Sequence, residues 1–389
     1  MRRHGIDPRA HREEQIQARR IAAEAARLAE QNRITLRALF DRWATTELQP
    51  RIRTDGKRVG RKDGGKFTRD QFARRVFPVL GDESVETIKK AELLAILDSV
   101  KAEGKARTAN VLFTDLKQMF RFALARDIIQ RNPLETVAKR DVGGTSVLRS
   151  RVLSMSELHR LAAALPSSGL DPRTVAALWL ILSTGVRIGE LMGAAWVDAE
   201  HNLPRLRLEA ESRGAKLGFV DTRARKWRLL DTKTQREHTI HLSDFALSQF
   251  NVLSVARVAH RRSVDAVPWV FPNSRGVGPK GVKAFGKQLS DRQREPARRL
   301  RNRTSATTSL SMPGGRWTAH DLRRTAATLM AELGVSGDVI DECLNHVIES
   351  EVRRIYVRDR REPDQARAFD ALGQRLSQIF ADSSDEVDR

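Results

Sequence analysis

Apolar side chains recur at helical spacing through most of the chain, and alternation appears in only two places. Residues 11–33 are rich in Ala, Glu, Gln and Arg, which predicts a helix with too few large apolar residues to build a core. From residue 34 the pattern changes: Leu36, Leu39, Phe40 and Trp43 mark a buried helix face. Further helices are predicted at about 89–103 and 107–126, the second with Val111, Leu112, Leu116, Met119, Phe120 and Ala123 on one side, stopped by Asn132-Pro133. Residues 139–150 carry Gly-Gly and polar residues without periodicity and read as an interdomain linker. Beyond it, SMSELHRLAAAL and DPRTVAALWLILSTG predict two helices, the second apolar nearly all round and ending at Gly185. LPRLRLEA at 203–210 reads as a strand, and residues 225–243 as two strands flanking a polar turn at 233–237. Helices then dominate to the end, where Phe369, Leu372, Leu376, Ile379 and Phe380 form an amphipathic stripe. The expected class is mainly α with a small antiparallel β-sheet in a second domain, without internal repeats.

Charge narrows the partner. Seventy Lys and Arg against 49 Asp and Glu leave +21 on 389 residues, which points to a polyanion. The basic residues are spread over folded-looking segments, favouring nucleic acid over an acidic membrane surface. Residues 51–75 hold ten Lys/Arg and three Asp. Within them Arg51, Arg53, Lys57, Arg58, Arg61, Lys62 and Lys66 form either a solvated loop or an arm lying on phosphates. The single cysteine, Cys343, excludes a disulfide framework and a thiolate metal cluster. The charged start has no apolar signal region and no run of about 18 apolar residues occurs, so the chain is expected to be cytoplasmic, associated with the nucleoid, and without a membrane partner.

Two stretches imitate phosphate loops. Residues 60–66 and 281–287 fit G-x-x-x-x-G-K, but Phe67 and Gln288 stand where a Ser or Thr must hold magnesium, and no apolar strand precedes either. His238 and His241 lie three apart in a predicted strand and so on opposite faces, which excludes a metal pair.

Four separated segments carry unusual functional groups: STGVRIGEL, DTKTQREHTIHL, TAHDLRRT and CLNHVIESEVRRIY. Together they resemble the tyrosine recombinase family, or phage integrases. That family's site of two arginines, a hairpin lysine, two histidines and a tyrosine nucleophile has counterparts, in order, at Arg187, Lys233, His320, Arg323, His346 and Tyr356. Asn345 stands where the family more often has glycine. The resemblance covers roughly residues 151–360. It implies a helical core-binding domain at 34–138, the linker at 139–150, a mixed α/β catalytic domain at 151–363, and a C-terminal helix at 364–389 that docks on a neighbouring protomer. Residues 1–33 resemble the tail of an arm-binding domain whose body is missing, which suggests truncation or an internal start. The partners implied are double-stranded DNA, further copies of the chain in a tetramer on a four-way junction, a DNA-bending host factor and a directionality factor; no metal or other cofactor is implied.

The residue types suit phosphodiester transesterification, which needs a nucleophile, stabilised non-bridging oxygens and a proton for the leaving 5′ oxygen. Tyr356 is the only tyrosine, and nearby guanidinium charge favours its phenolate. Arg187 and Arg323 offer planar donor pairs that lysine cannot reproduce. Glu190 either orients Arg187 or is an ordinary surface glutamate. Thr318 and Asp321 predict a helix cap, placing His320 and Arg323 on one face of the first turn, where an anion is favoured. His320 can exchange a proton or donate to phosphate, His346 can donate a hydrogen bond, and Lys233 can act as general acid. The expected function is site-specific recombination through a 3′-phosphotyrosyl intermediate that integrates or excises a mobile element. The alternatives are a type IB topoisomerase-like enzyme and a catalytically silent DNA-binding regulator.

Overall fold

The computed structural model describes residues 8–31, 33–54, 58–145, 150–230, 232, 237–259, 267–346 and 361–385. The chain divides into two compact units, Met1–Leu148 and Arg149–Arg389.

The first unit is helical. Helix α1 (Pro8–Gln31) is exposed along residues 12–21, as its polar composition requires. Helix α2 (Leu36–Trp43) is capped by Thr35, whose hydroxyl accepts from Ala38 N at 3.2 Å, and runs into a π-helical turn, Ala44–Leu48. A two-residue hairpin, β1 (Arg51–Ile52) with β2 (Arg58–Val59), precedes α3 (Lys66–Arg75), α4 (Phe77–Leu80), α5 (Lys90–Ala102) and α6 (Ala106–Leu124). Leu36, Leu39, Phe40 and Trp43 pack with Phe72 and with Leu112, Leu116, Met119, Phe120 and Ala123 of α6 in one core. The segment expected as a linker departs from expectation in its first half: residues Lys139–Gly143 form a helix, α7, with Val142 buried. The reason is Asn110 on α6, whose carboxamide accepts from Gly143 N at 3.0 Å and donates to Gly144 O at 3.1 Å. A Cβ at Gly143 would lie 2.3 Å from Ala106 O, so the two helices approach too closely for a side chain there.

The second unit is built around α9 (Pro172–Thr184), whose residues from Ala176 onward are buried all round. Helices α12 (Asp244–Ala259), α14 (Ala319–Glu332) and α10 (Ile188–Met192) pack on it, and α8 (Met155–Ala164), α11 (Leu203–Ser212), α13 (Val282–Asp291) and α15 (Gly337–Cys343) complete the unit. A four-stranded sheet has the order β3 (Ala194–Trp196), β4 (Gly218–Asp221), β5 (Lys226–Leu229), β6 (His238–His241).

Two expectations need correction here. The sheet is mixed, because β3 pairs parallel to β4 through the crossover at 197–217, whereas β4, β5 and β6 are antiparallel. The expected strand at 203–210 is helix α11, opened by Pro204 in its first turn. Its burial repeats every four residues, with Leu206 and Ala210 buried and Leu208 70% exposed, so the alternation in LPRLRLEA is not used. The C-terminal helix (Glu362–Asp385) folds back on its own unit: Ala368, Phe369, Leu372, Leu376 and Ile379 are buried in the same core as α9. In the single chain its apolar stripe packs on that core, with Phe380 of the predicted set 46% exposed.

Candidate active site

The site begins where α9 ends. Gly185 closes that helix at φ +61°, in the left-handed region, and a Cβ there would meet Leu344 Cδ2 at 2.5 Å. The chain then extends through Val186 to Arg187, the residue that caps α10. Glu190, in the first turn of α10, holds Arg187 twice: its carboxylate accepts from the backbone N at 2.8 Å and from Nη1 at 3.1 Å. Glu190 is buried, whereas about a quarter of the Arg187 side chain remains exposed (24%), so the pair presents a guanidinium and hides its counter-charge.

Arg323, in the second turn of α14, is buried among these segments. Its Nη1 donates to Gly185 O and its Nη2 to Leu344 O. Burial, and then repulsion from Arg187, lower its pKa to about 10 against an opposing pull from Glu190, so it stays a cation at neutral pH. One turn earlier His320 reaches the surface. Partial desolvation, then the charges of Arg324 and Arg323, lower its pKa; Asp321 pulls the other way and Arg187 adds to the lowering. The neutral ring is therefore favoured at pH 7. The end of α14 that carries these groups is capped from within. Asp321, buried, accepts from Thr318 N and Oγ1 at 2.8 Å each and from Arg324 Nη1 at 2.9 Å, so Arg324 is spent on Asp321 while Arg323 is turned to the site.

His346 follows α15. Asn345 before it has φ +49°, a left-handed conformation that glycine adopts freely and asparagine tolerates better than most residues. His346 Nδ1 lies 2.8 Å from Asp341 Oδ1, and its backbone N donates to Asp341 O at 2.9 Å. Asp341 thus takes the Nδ1 side of the ring and leaves Nε2 for a ligand; donation from Nε2 then requires the protonated ring, with Asp341 as counter-charge.

Arg187, Glu190, His320 and Arg323 therefore converge, and the Leu344 carbonyl links them to the segment carrying His346. Lys233, between β5 and β6, and Tyr356 lie outside the described residues, as does Lys57. Leu229 and His238 are the last paired residues of β5 and β6, so the antiparallel pair flanks the Lys233 segment.

Basic residues expected to lie on phosphates divide by environment. Arg61 donates to Asp115 and, at 3.3 Å, to Gln118 of α6. Arg51 bonds Thr46 O and lies 3.4 Å from Glu47, and Lys66 lies 3.4 Å from Asp70. Arg53 and Lys62 are exposed, and Arg58 contributes its backbone to β2.

The two imitation phosphate loops are built differently. Asp63 fills the first, its carboxylate accepting from Phe67 N at 2.8 Å and Gly65 N at 3.1 Å, and these bonds hold its pKa below the usual range. The second is the start of α13, with Gly286 and Lys287 inside the helix. His238 and His241 point apart, toward Cys343 O (3.1 Å) and Asp370 Oδ1 (3.0 Å) respectively.

Sequence inspection missed the groups that assemble the site. The Gly185 and Leu344 carbonyls carry no side-chain signal at all. Asp341, five residues before His346, looks like any acidic residue on a short helix. The clamp between Gln293 and Trp317 is equally silent: Gln293 accepts from Trp317 N at 2.8 Å and donates to Trp317 O at 3.0 Å, fixing the chain just before α14.

A buried arginine and a second arginine at a helix end thus stand in one site of a mostly helical unit with a small sheet. Residues 151–362 match the Phage integrase family and residues 57–140 the Phage integrase central domain. The chain belongs to the phage integrase family, as a tyrosine recombinase of phage or prophage type. It is 24% identical over 291 residues to the prophage integrase IntA of Escherichia coli K12, covering 73% of this chain and 58% of that protein, less than two thirds of its length. It is 28% identical over 277 residues to the integrase of Escherichia phage HK022, covering 67% and 71%. Its fold resembles the lambda integrase tetramer bound to a Holliday junction (TM-score 0.57, 20% identity, 89% of each chain). It also resembles the Tn1549 transposon integrase in complex with transposon right end DNA (TM-score 0.54, 17% identity, 86% and 98%).

Proposed function

We propose that the chain is a site-specific DNA recombinase that breaks and rejoins strands through a 3′-phosphotyrosyl link. The observation that carries this is the imbalance at the site among the described residues: Arg187 and Arg323 feel each other's charge and share the pull of one carboxylate, Glu190, while Arg324 is already matched by Asp321. A phosphodiester completes that charge, and a phosphorane-like transition state with more negative oxygen completes it better.

In this mechanism the Tyr356 oxygen forms a bond to phosphorus as the bond to the 5′ oxygen breaks. Arg323 and Arg187 donate to the non-bridging oxygens, and the neutral His320 accepts the phenolic proton or donates to the same oxygens. Lys233 supplies the proton to the leaving 5′ oxygen, which becomes a hydroxyl. Attack by a 5′ hydroxyl of a second duplex reverses these steps and conserves the bond, so no nucleotide is consumed. His346 completes the hydrogen bonds to phosphate, and Glu190 keeps Arg187 aimed. Relatives captured with DNA and as a tetramer on a Holliday junction support duplex DNA and four copies of the chain as partners. No helix among the described residues is long and apolar enough to cross a membrane, and a DNA-acting role fits a cytoplasmic, nucleoid-associated location.

The test is strand transfer between two labelled duplexes carrying the junction of the mobile element. Recombinant strands with wild type and none with Tyr356→Phe are expected. Relaxation of supercoils without exchange between duplexes would instead identify a nicking and closing enzyme.

A further inference from the structure

Residues 292–303, RQREPARRLRNR, hold six arginines and one glutamate, and the active site does not use them. The excursion is pinned at its base. Arg292 is buried and donates from Nε to Ser168 O at 2.7 Å and from Nη2 to Gly169 O, while its own carbonyl accepts from Leu310 N at 2.9 Å. Asp291, also buried, faces Arg294 at 3.9 Å and Arg303 at 3.4 Å, so one carboxylate ties both ends of the loop. Between these pins a 3-10 turn, Pro296–Arg298, and a left-handed Asn302 at φ +62° shape the tip, and Arg299 Nη2 donates to Arg303 O at 3.0 Å. Arg298, Arg299 and Arg301 are exposed there. The base is also fastened to the active site: the Gln293–Trp317 clamp and the bond from Trp317 Nε1 to Leu310 O (2.9 Å) join the loop to the residue before Thr318, which opens the helix carrying His320 and Arg323.

We infer that this loop is a second phosphate-gripping element, with Arg298, Arg299 and Arg301 contacting the backbone of duplex DNA alongside the cleaved phosphate. It rests on the recombinase assignment above and adds a surface to it. The chemistry selects the partner: all six cations are arginines, whose planar donor forks suit phosphate oxygens, and the loop is held in shape instead of trailing as a solvated tail. Because the loop and α14 share one buttress, backbone contacts at the tip set the register of the duplex over Arg323 without reading its sequence.

The test is the salt dependence of binding of the full chain to a duplex of arbitrary sequence. Three phosphates released should make the log–log slope shallower by roughly 2.7 in R298Q/R299Q/R301Q, at about 0.9 per phosphate. R298K/R299K/R301K should keep most of the slope. Should the triple glutamine variant fail to fold, judged by thermal midpoint, Arg301→Gln alone should remove about 0.9. A steep wild-type slope that the glutamine variants leave unchanged would overturn the loop's role alone. A wild type without salt-dependent duplex binding would overturn the recombinase assignment together with it. A slope change confined to duplex RNA would overturn DNA as the partner.

Discussion

The guanidinium of Arg323 donates to the carbonyl of Gly185, two residues before Arg187, and so one arginine of the site positions the backbone that delivers the other. Its second bond, to Leu344 O, brings in the segment with His346. Arg323→Lys keeps a charge but cannot make both bonds, leaving a buried carbonyl without a donor at a cost of about 1–3 kcal/mol. A lower thermal midpoint and loss of cleavage are expected together; a fully stable variant would show that the two bonds are incidental.

Gly185 is needed for two separate reasons, its left-handed φ and the nearness of Leu344 Cδ2. Gly185→Ala should destabilise by more than the 1–2 kcal/mol typical of left-handed strain. Leu344→Ala in the same chain should recover the steric part and leave the backbone part. Denaturant midpoints of the two single variants and the double variant measure this, and strict additivity would refute the contact.

Folding lowers the pKa of His320 from its ordinary value near 6.5, so the unfolded chain takes up a proton first as pH falls. This contribution to stability is fully present above about pH 6.5 and is lost as pH drops through the window just below it. Thermal midpoints of wild type should therefore fall more steeply between pH 7 and pH 5 than those of His320→Gln. Parallel curves would show that the ring is not desolvated.

Arg61 and Lys62 are neighbours with different duties. Arg61 faces the buried Asp115, whose pKa is raised by burial against the pull of Arg61, whereas Lys62 is exposed. Arg61→Ala should lower the thermal midpoint, and Lys62→Ala should alter only the salt dependence of DNA binding. The reverse pattern would place Arg61 on phosphate.

How much was legible depended on whether a feature was written in side chains at fixed spacing. The α2 and α6 faces, the buried α9 with Gly185 at its end, and His320 and Arg323 on one face of a helix all followed from periodicity and capping residues. Segment α11 misled because Leu206, Leu208 and Ala210 alternate as a strand would, and only the tertiary environment selects Leu206 and Ala210 for burial. The first half of the expected linker was illegible for a related reason: its helix is held by Asn110, some thirty residues earlier, through backbone groups. The C-terminal stripe was visible, but a stripe does not say which core it enters. The convergence of Arg187, Arg323 and Leu344 was the least legible of all, since main-chain carbonyls make it.

In the proposed reaction Tyr356 becomes covalently joined to DNA. The direct measurement incubates the full chain with a pool of random-sequence nicked duplexes, isolates protein-linked DNA under denaturing conditions and maps the modified peptide by mass spectrometry. A nucleotide attached through phosphate to Tyr356 is expected, formed in chelator and absent from Tyr356→Phe, although that variant still binds the pool. A linkage at any other residue, an adduct that survives Tyr356→Phe, or a wild-type chain that binds the pool and forms no adduct would contradict it.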